Sequence, residues 1–308
     1  MMKGLLIQGP LMSKGRTGAT ANIPFNSVKD EHVVDYDCIH NISNLYEKYK
    51  EVFDYIVCVT WGDQDKALLT RLRGVLPDKN ILLIDDTTEC IAPKGNVIQG
   101  NNKYRQMLSV LKGSEVLNSL GCDYIVKVRT DQFVNCELLL NDTVNKLCND
   151  NRPIVMVPWI NDESSHSKVN IEDLYFSSRA DTLVSFAKEY LETPEIRDSI
   201  HQDLFYKWTF RRFISKRILR KYISKVSVFG NSVFLMPFYL KSNGMGLFFP
   251  LCSDAVDSIV WRGEVLDIDK SHHRHIKIEY GAFSNMTSFK CMLSCLLIYL
   301  KKNLKKTH

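Results

Sequence analysis

The sequence predicts an α/β fold with a mostly parallel central sheet covered by helices on both faces. Three observations support this. Short apolar runs alternate with longer segments of helical periodicity through the first half of the 308-residue chain. Several of these runs lack apolar/polar alternation, which is typical of strands buried on both faces. Gly, Pro and Asp residues end most of the runs, as expected at the turns between strands and helices.

The elements follow in order along the chain. Strands are predicted at Leu5–Gln8, Tyr55–Trp61, Asn80–Ile84, Asp123–Val128 and Ile154–Trp159, and helices at Asn41–Val52, Ala67–Leu76, Asn102–Leu120 and Cys136–Cys148. In the less regular second half, Leu174–Ser177 is predicted as a strand and Asp181–Leu191 as a helix. We predict one main domain over residues 1–210 and a C-terminal extension over 211–308, packed on the same domain.

The charge is unevenly distributed. Residues 207–225 carry eight Lys/Arg and no acid, and residues 289–308 carry five Lys and no acid. The rest of the chain has 27 basic and 35 acidic residues. An acidic body argues against nucleic acid as a partner. Two basic segments with apolar faces, a helical appendage in our interpretation, instead favour an anionic membrane surface.

Cysteine use and apolar run lengths bear on localisation. The nine Cys include no C-x-x-C pair, which favours reduced thiols in a cytosol. No apolar stretch reaches the roughly 18 residues of a membrane-spanning helix. We therefore expect a cytoplasmic protein that is peripheral at a membrane surface.

Ligands of parallel sheets bind beyond the carboxyl ends of the strands. The residues at those ends are Gln8, Gly9 and Pro10, then Trp61, then Asp85 and Asp86, and then Arg129 and Asp131. A G-x-G-x-x-G motif does not follow the first strand, and the sequence has no Walker A loop. A Rossmann dinucleotide site and a P-loop are therefore disfavoured.

The triplet Arg129-Thr130-Asp131 ends the predicted central strand. A carboxylate there suits Mg²⁺ or Mn²⁺, which prefer oxygen ligands and bridge carboxylates to a diphosphate. The alternative is a structural ion pair between Arg129 and Asp131. The first turn of the preceding helix should reach the same edge, where Arg105 and Gln106 could hold phosphate. Asn102 could join them or cap the helix.

Five motifs lie at the strand ends and in the helix before the central strand. They are QGPL from Gln8, TWGDQ from Thr60, the pair Asp85-Asp86, N-x-x-R-Q-x-x-S-x-x-x-G from Asn102 to Gly113, and YIVKVRTD from Tyr124. Together they resemble the WavE family of bacterial lipopolysaccharide-synthesis proteins, which would place the expected membrane surface at the inner face of the bacterial membrane. The resemblance covers roughly residues 3–210. It implies a GT-A-like glycosyltransferase in which R-x-D stands where other members carry D-x-D. Arg129 thus replaces the first carboxylate, and it could supply positive charge itself.

The resemblance implies transfer of a sugar from a nucleotide-sugar donor to a lipopolysaccharide, O-antigen or capsule acceptor, either lipid-linked or glycan. A divalent cation on Asp131, Mn²⁺ or Mg²⁺, or a basic side chain would stabilise the departing diphosphate. Asp203 and Asp173 are the candidate general bases. Their alternative role is that of exposed helix-end carboxylates.

Two other functions stay open on the sequence. One is a non-catalytic nucleotide-sugar-binding or scaffold protein. The other is a sugar nucleotidyltransferase, which would use a Gly- and Arg-rich loop after the first strand. Residues 13–18 (SKGRTG) have that composition.

Overall fold

The computed structural model describes residues 1–21, 23, 27–85, 102–158, 160–163, 168–171, 173–192, 208, 248–250 and 259–266. The strands are β1 (Lys3–Gln8), β2 (Met12–Gly15), β3 (Val34–Asp37), β4 (Tyr55–Trp61), β5 (Ile81–Ile84), β6 (Tyr124–Arg129), β7 (Gln132–Phe133), β8 (Val155–Val157), β9 (Ile160–Glu163), β10 (Lys168–Ile171), β11 (Phe176–Arg179), β12 (Phe248–Pro250), β13 (Val260–Trp261) and β14 (Glu264–Val265). The helices are α1 (Cys38–Tyr49), α2 (Lys66–Val75), α3 (Asn102–Ser119), α4 (Cys136–Leu147) and α5 (Ala180–Leu191).

Seven strands form the central sheet, in the order β12-β8-β11-β6-β1-β4-β5. Neighbouring strands run parallel except where β11 pairs with β6 and β8. β1 lies between β4 and β6, with Gln8 opposite Val59 on one side and Arg129 on the other. The predicted fold class, a mostly parallel sheet with helices on both faces, is confirmed.

The helices bury the two faces of the sheet in separate cores. Met107 and Val110 of α3 pack with Leu183 and Phe186 of α5 against one face, which we call the α3 face. Helices α1, α2 and α4 cover the opposite face with residues such as Ile42. Alternation along a strand sends successive side chains to opposite faces. Lys127 therefore points to the α3 face, like Ile125, whereas Val126 and Val128 point to the other.

Polar residues start the helices where the strand-to-helix turns end. The carboxylate of Asp37 accepts a hydrogen bond from the backbone N–H of Ile39 at 3.0 Å, and Asp65 caps α2 in the same way. The side chain of Asn135 accepts from the N–H of Leu138 at the start of α4. Each cap satisfies donors that the first helical turn leaves without a partner.

Parts of the predicted C-terminal extension belong to this domain. β12 is an edge strand of the central sheet, and the hairpin of β13 and β14 pairs with β7 beside the end of β6. Trp208, which precedes the extension in the basic segment 207–225, is fully buried against Phe186, with ring centroids 5.1 Å apart. The remainder of the basic segments 207–225 and 289–308 lies outside the described residues. In the part of the chain that the structure describes, no helix is long and apolar enough to cross a membrane.

Candidate functional site

The parallel strands β1, β4 and β6 end at one edge of the sheet, and most of the predicted site residues lie there. Gln8 ends β1, Trp61 ends β4 and Arg129 ends β6. Gln8 and Arg129 are paired in register and both point to the α3 face, because Leu6 and Lys127, two residues earlier, also form a pair. The strand-end placement that the sequence predicted is therefore observed for these three residues.

Gly9 and Pro10 form a tight turn after β1 that packs on Thr130. Gly9 has a φ of 143°, and a Cβ at this position would lie 2.5 Å from Oγ1 of Thr130. The same hydroxyl donates to the carbonyl of Pro10 at 2.8 Å. Glycine is required here because only hydrogen fits between the two strand ends. The two residues thus brace the turn against Thr130.

Asp131 is at the centre of a buried hydrogen-bonded network. Its side chain is 1% exposed, and Arg129 donates to both carboxylate oxygens, from Nε at 2.9 Å and from Nη2 at 3.0 Å. Oδ2 also accepts from Ser13 at 2.9 Å and from the indole of Trp261 at 3.2 Å, and it lies 3.1 Å from Nη2 of Arg262. Two guanidinium groups therefore share one carboxylate.

This network fixes the ionisation of Asp131. Burial by itself would raise the pKa of the carboxyl group, but the charge and hydrogen bonds of Arg129 outweigh that effect, with help from Arg262 and Ser13. The result is a pKa lowered to about 2. Asp131 is consequently a carboxylate at any pH near neutrality, and it leaves the cluster of Arg129, Arg262 and Asp131 with one excess positive charge.

The β13–β14 hairpin locks the loop that follows β1. Arg262 donates from its backbone to the carbonyl of Asp131 at 2.9 Å and from Nε to the hydroxyl of Ser13 at 3.1 Å. The backbone N–H of Gly18 donates to the carbonyl of Trp261 at 2.9 Å. A Cβ at Gly18 would overlap the carbonyl of Glu264. The hairpin backbone therefore explains the need for glycine at this position.

A second polar group lies under the same edge on the α3 face. The side chain of Lys127 is fully buried, and its ammonium lies 4.5 Å from the centre of the Phe176 ring. The amide of Gln106, in the orientation that satisfies both neighbours, accepts from Lys127 at 3.1 Å and donates to Asp173 at 3.3 Å. Burial lowers the pKa of Lys127 to about 7, although the charge of Asp173 acts in the opposite direction. Asp173 and Gln106 thus meet at one polar contact.

Several buried polar atoms near this edge have no hydrogen-bond partner among the described residues, and two of them, Oε1 of Gln8 and Nε1 of Trp61, belong to side chains on the α3 face. Gln8 lies between Val59 and Arg129 in the sheet, and Trp61 belongs to the core on the α3 face. A buried polar atom without a partner carries a free-energy cost that a bound ligand can relieve. The pair therefore marks the edge as a place where a ligand with donors and acceptors would be stabilised.

The other predicted residues divide into two groups. Asn102 is the first residue of α3, Arg105 follows in its first turn, and Gln106 reaches the polar group at the strand ends. Asp85 directly follows β5 and is exposed. Asp86 and Asp203 lie outside the described residues, so their roles stay predictions.

Sequence reasoning missed four residues of the site: Ser13, Lys127, Trp261 and Arg262. A signal existed for Lys127, because a single Lys interrupts the apolar run YIVKV of a buried strand. Ser13, Trp261 and Arg262 gave no comparable signal. They reach Asp131 only through strands of two to four residues, which are too short for a periodic pattern.

Asp131 in this arrangement does not fit the divalent cation that the sequence analysis assigned to it. Its oxygens accept four hydrogen bonds, which matches the roughly four lone-pair sites of a carboxylate, and Nη2 of Arg262 forms an ion pair with Oδ2 at 3.1 Å. A cation would also face two guanidinium groups. No cluster of three or more His, Cys, Asp or Glu side chains with metal-binding geometry occurs within the described ranges.

Comparison with known proteins gives fold-level likeness alone. No family model matches the chain, and no curated protein matches it either. Among solved structures, a 4-diphosphocytidyl-2C-methyl-D-erythritol synthase from Anaerococcus prevotii is 14% identical at a TM-score of 0.39, covering 66% of this chain and 82% of its own. A glycosyltransferase involved in glycosylation of the major capsid of PBCV-1 is 11% identical at a TM-score of 0.35, covering 70% of this chain and 80% of its own. At these scores the function has to be argued from the residues of the site.

Proposed function

We propose that the chain is a glycosyltransferase that takes a sugar from a nucleotide-sugar donor and transfers it to a bacterial surface-polysaccharide acceptor. The observation that carries this proposal is the excess positive charge at the carboxyl ends of β1 and β6. Arg129 is partly exposed there, while its partner Asp131 is buried. A partly exposed guanidinium at this edge of a parallel sheet suits a phosphate group.

Helix α3 also favours the binding of phosphate at this edge. Its first turn, which contains Arg105, lies at the edge where Gln106 meets Lys127. The N-terminal end of a helix carries partial positive charge and free backbone donors. Together with Arg129 it would accommodate the two phosphates of a nucleoside diphosphate. The unpartnered Oε1 of Gln8 is available for a hydroxyl of the donor.

The chemistry of an inverting transfer can be assigned to these groups. An acceptor hydroxyl oxygen forms a bond to C1 of the sugar while the bond from C1 to the diphosphate oxygen breaks. The diphosphate leaves with the bonding electron pair, and Arg129 stabilises its added negative charge. The proton of the acceptor hydroxyl passes to a carboxylate, for which Asp173, held beside Gln106, is the described candidate.

A sugar nucleotidyltransferase is the weaker alternative on the geometry of residues 13–18. That activity would need this loop to wrap the phosphates of a nucleoside triphosphate. Here Ser13 is bound to Asp131 and Arg262, and Gly18 is packed on Glu264. The side chain of Arg16 donates to the carbonyl of Ala21. The polar groups of the loop are thus engaged within the protein.

The acceptor class rests on the sequence. The motif resemblance to lipopolysaccharide-synthesis proteins favours a lipopolysaccharide, O-antigen or capsule acceptor, and the basic segments 207–225 and 289–308 favour a lipid-linked one at an anionic membrane surface. A non-catalytic nucleotide-sugar-binding protein would share the donor site. Turnover of the donor separates the two.

A thermal-shift panel of nucleotide sugars, each with Mn²⁺ and with EDTA, is the direct test. A specific donor raises the melting temperature because it binds only the native state. The stabilising donor is then incubated with the protein, and release of nucleoside diphosphate is measured with and without extracted lipid-linked glycans. Stabilisation and release together support a transferase. Stabilisation without release favours the binding protein, and no stabilisation by any nucleotide sugar contradicts the proposal.

A further inference from the structure

The carboxylate of Asp131 is saturated by the protein itself. Oδ1 accepts from Arg129, and Oδ2 meets four donor atoms, which belong to Arg129, Ser13, Trp261 and Arg262. A divalent cation at this carboxylate would have to replace several of these contacts. It would then leave two guanidinium groups in a buried environment without their counter-charge, which is costly.

The charge at this site is already positive before any ligand binds. Arg129 and Arg262 both contact Asp131, whose low pKa keeps it ionised. The charge of Asp173 also acts on Arg129, and the neighbouring Lys127 opposes it in turn. Arg262 and Asp131 are nearly inaccessible, whereas 24% of the Arg129 side chain is exposed. The member of the cluster that meets solvent is therefore Arg129.

The contact with Asp131 does not use all the hydrogen-bond donors of the Arg129 guanidinium. It uses Nε and Nη2 to hold Asp131 in a two-point contact, which fixes the plane of the group. Nη1 has no hydrogen-bond partner in the part of the chain that the structure describes. An arginine held by a buried carboxylate on one side loses little side-chain entropy when it binds an anion on the other.

We propose that the strand-end edge binds the diphosphate of a nucleotide donor through the guanidinium of Arg129, without a divalent cation bridging protein and phosphate. This inference rests on the proposed function and names the charge that its donor site uses. Asp131 acts through Arg129 as a positioning residue, and Arg262 and Ser13 hold Asp131 in place.

The test is calorimetric titration of nucleoside diphosphates (UDP, GDP, ADP, CDP and dTDP) into the full-length protein, in EDTA and again in Mn²⁺ or Mg²⁺. We expect one diphosphate to bind in EDTA with an affinity within about twofold of that in Mn²⁺. Binding that appears only with a divalent cation would overturn the inference while leaving the proposed function intact. Failure of every diphosphate under both conditions would overturn both.

One variant and a matched control test whether Arg129 binds the diphosphate. Arg129→Gln should weaken diphosphate binding by at least about tenfold, the size expected for a lost hydrogen bond to a charged group. Arg73→Gln, at an exposed position on α2, is the matched control and should bind like wild type. Unchanged affinity in folded Arg129→Gln would refute the assignment. Should that variant not fold, the wild-type titrations in EDTA and in Mn²⁺ or Mg²⁺ still decide whether diphosphate binding needs a divalent cation.

Discussion

Asp131 and Arg262 form a buried ion pair of 3.1 Å between the end of the central strand β6 and a hairpin from the last fifth of the chain. The backbone adds a second link, because the N–H of Arg262 donates to the carbonyl of Asp131 at 2.9 Å. The hairpin of β13 and β14 is thereby part of the candidate site. The same carboxylate also binds Arg129, so it joins the buried Arg262 to the partly exposed Arg129.

Asp131→Asn should destabilise the fold. The substitution removes the carboxylate that contacts both guanidinium groups, and breaking a buried pair in this way costs about 3–5 kcal/mol. Urea denaturation at neutral pH measures the change. Asp78→Asn, whose side chain is 83% exposed, is the control and should have little effect. Equal stability of Asp131→Asn and wild type would show that the network is not structural.

The same ion pair predicts that the folded protein loses stability in acid. The folded pKa of Asp131, about 2, lies below the ordinary value of 3.8. Its contribution to stability is therefore fully present above about pH 3.8 and is lost as the pH falls through the folded pKa. Urea denaturation of wild type and Asp131→Asn at a series of acidic pH values measures this loss. The variant should not show it, because it lacks the carboxylate.

Lys127→Met should raise stability at neutral pH and remove a pH dependence. The folded pKa of Lys127, about 7, lies below its ordinary 10.5, so the unfolded chain binds more protons on this residue between those pH values. Wild-type stability should thus rise from pH 7 to 10, and the cost of burying the ammonium is fully present below pH 7. That cost has an upper limit of roughly 5 kcal/mol, and the loss of the contact to Gln106 reduces the gain.

Denaturation of Lys127→Met at several pH values checks this. Lys66→Met, at an exposed position on α2, is the control because it removes a lysine without changing a buried charge. A wild-type protein whose stability, relative to Lys127→Met, stays constant from pH 7 to 10 would contradict the lowered pKa.

The sequence predicted the parallel part of the fold because continuous apolar runs such as YIVCVTW leave few alternatives to a strand buried on both faces. It also predicted the edge at which Gln8 and Arg129 lie, since parallel strands must end together. It could not predict the partner of Asp131. The pairing depends on β7 and β13, strands of two residues whose register is set by tertiary contacts alone. For the same reason the sequence left both a metal site and an ion pair with Arg129 open for this carboxylate.

The sequence also did not predict to which face of the sheet the Lys127 side chain points. An apolar strand with one lysine is compatible with a lysine at the strand edge or under a helix. The choice depends on Gln106, which approaches from α3, and on Phe176, which is opposite Lys127 in β11. The antiparallel direction of β11 had no sequence signal either. Its predicted range, Leu174–Ser177, begins two residues before the observed strand.

Arg105→Ala should weaken binding of the donor. Arg105 lies in the first turn of α3, and a lost contact to phosphate is worth about 1.5–3 kcal/mol. Calorimetry with the nucleotide sugar identified by thermal shift gives the affinity. Lys112→Ala, on the same helix two turns further along, is the control and should bind normally. Unchanged affinity of folded Arg105→Ala would assign Arg105 a structural role.

Asp173→Asn should lower the turnover number by a factor of about 10²–10⁴ while donor affinity stays near that of wild type. The amide keeps the size of the side chain and its hydrogen bond to Gln106 but no longer takes up a proton. Steady-state kinetics separate kcat from KM, and calorimetry reports donor affinity. Asp30→Asn, at an exposed position, is the control. Wild-type kcat in Asp173→Asn would transfer the role of base to another residue, with Asp203 the next candidate.

Deletion of residues 289–308 should weaken membrane association and leave donor binding intact. The deletion removes five Lys and the apolar run CMLSCLLIYL, while the strand-end residues lie far upstream in the chain. Each Lys near an anionic leaflet contributes roughly 1 kcal/mol, and apolar side chains add their burial. The basic segment 207–225 remains in the truncated protein. We therefore expect weaker, more salt-sensitive binding rather than complete release.

Co-sedimentation with vesicles containing anionic lipid measures this association at several salt concentrations. A second variant, with Lys301, Lys302, Lys305 and Lys306 changed to Gln, keeps the apolar run and separates charge from burial. It should lose most of the salt-dependent part of the binding, because counter-charges are released only where basic residues meet the leaflet. Equal sedimentation of the truncated and full-length proteins would mean that the tail packs on the domain. A truncated protein that no longer folds would lead to the same conclusion, since a tail that only binds lipid contributes nothing to the free energy of unfolding in solution.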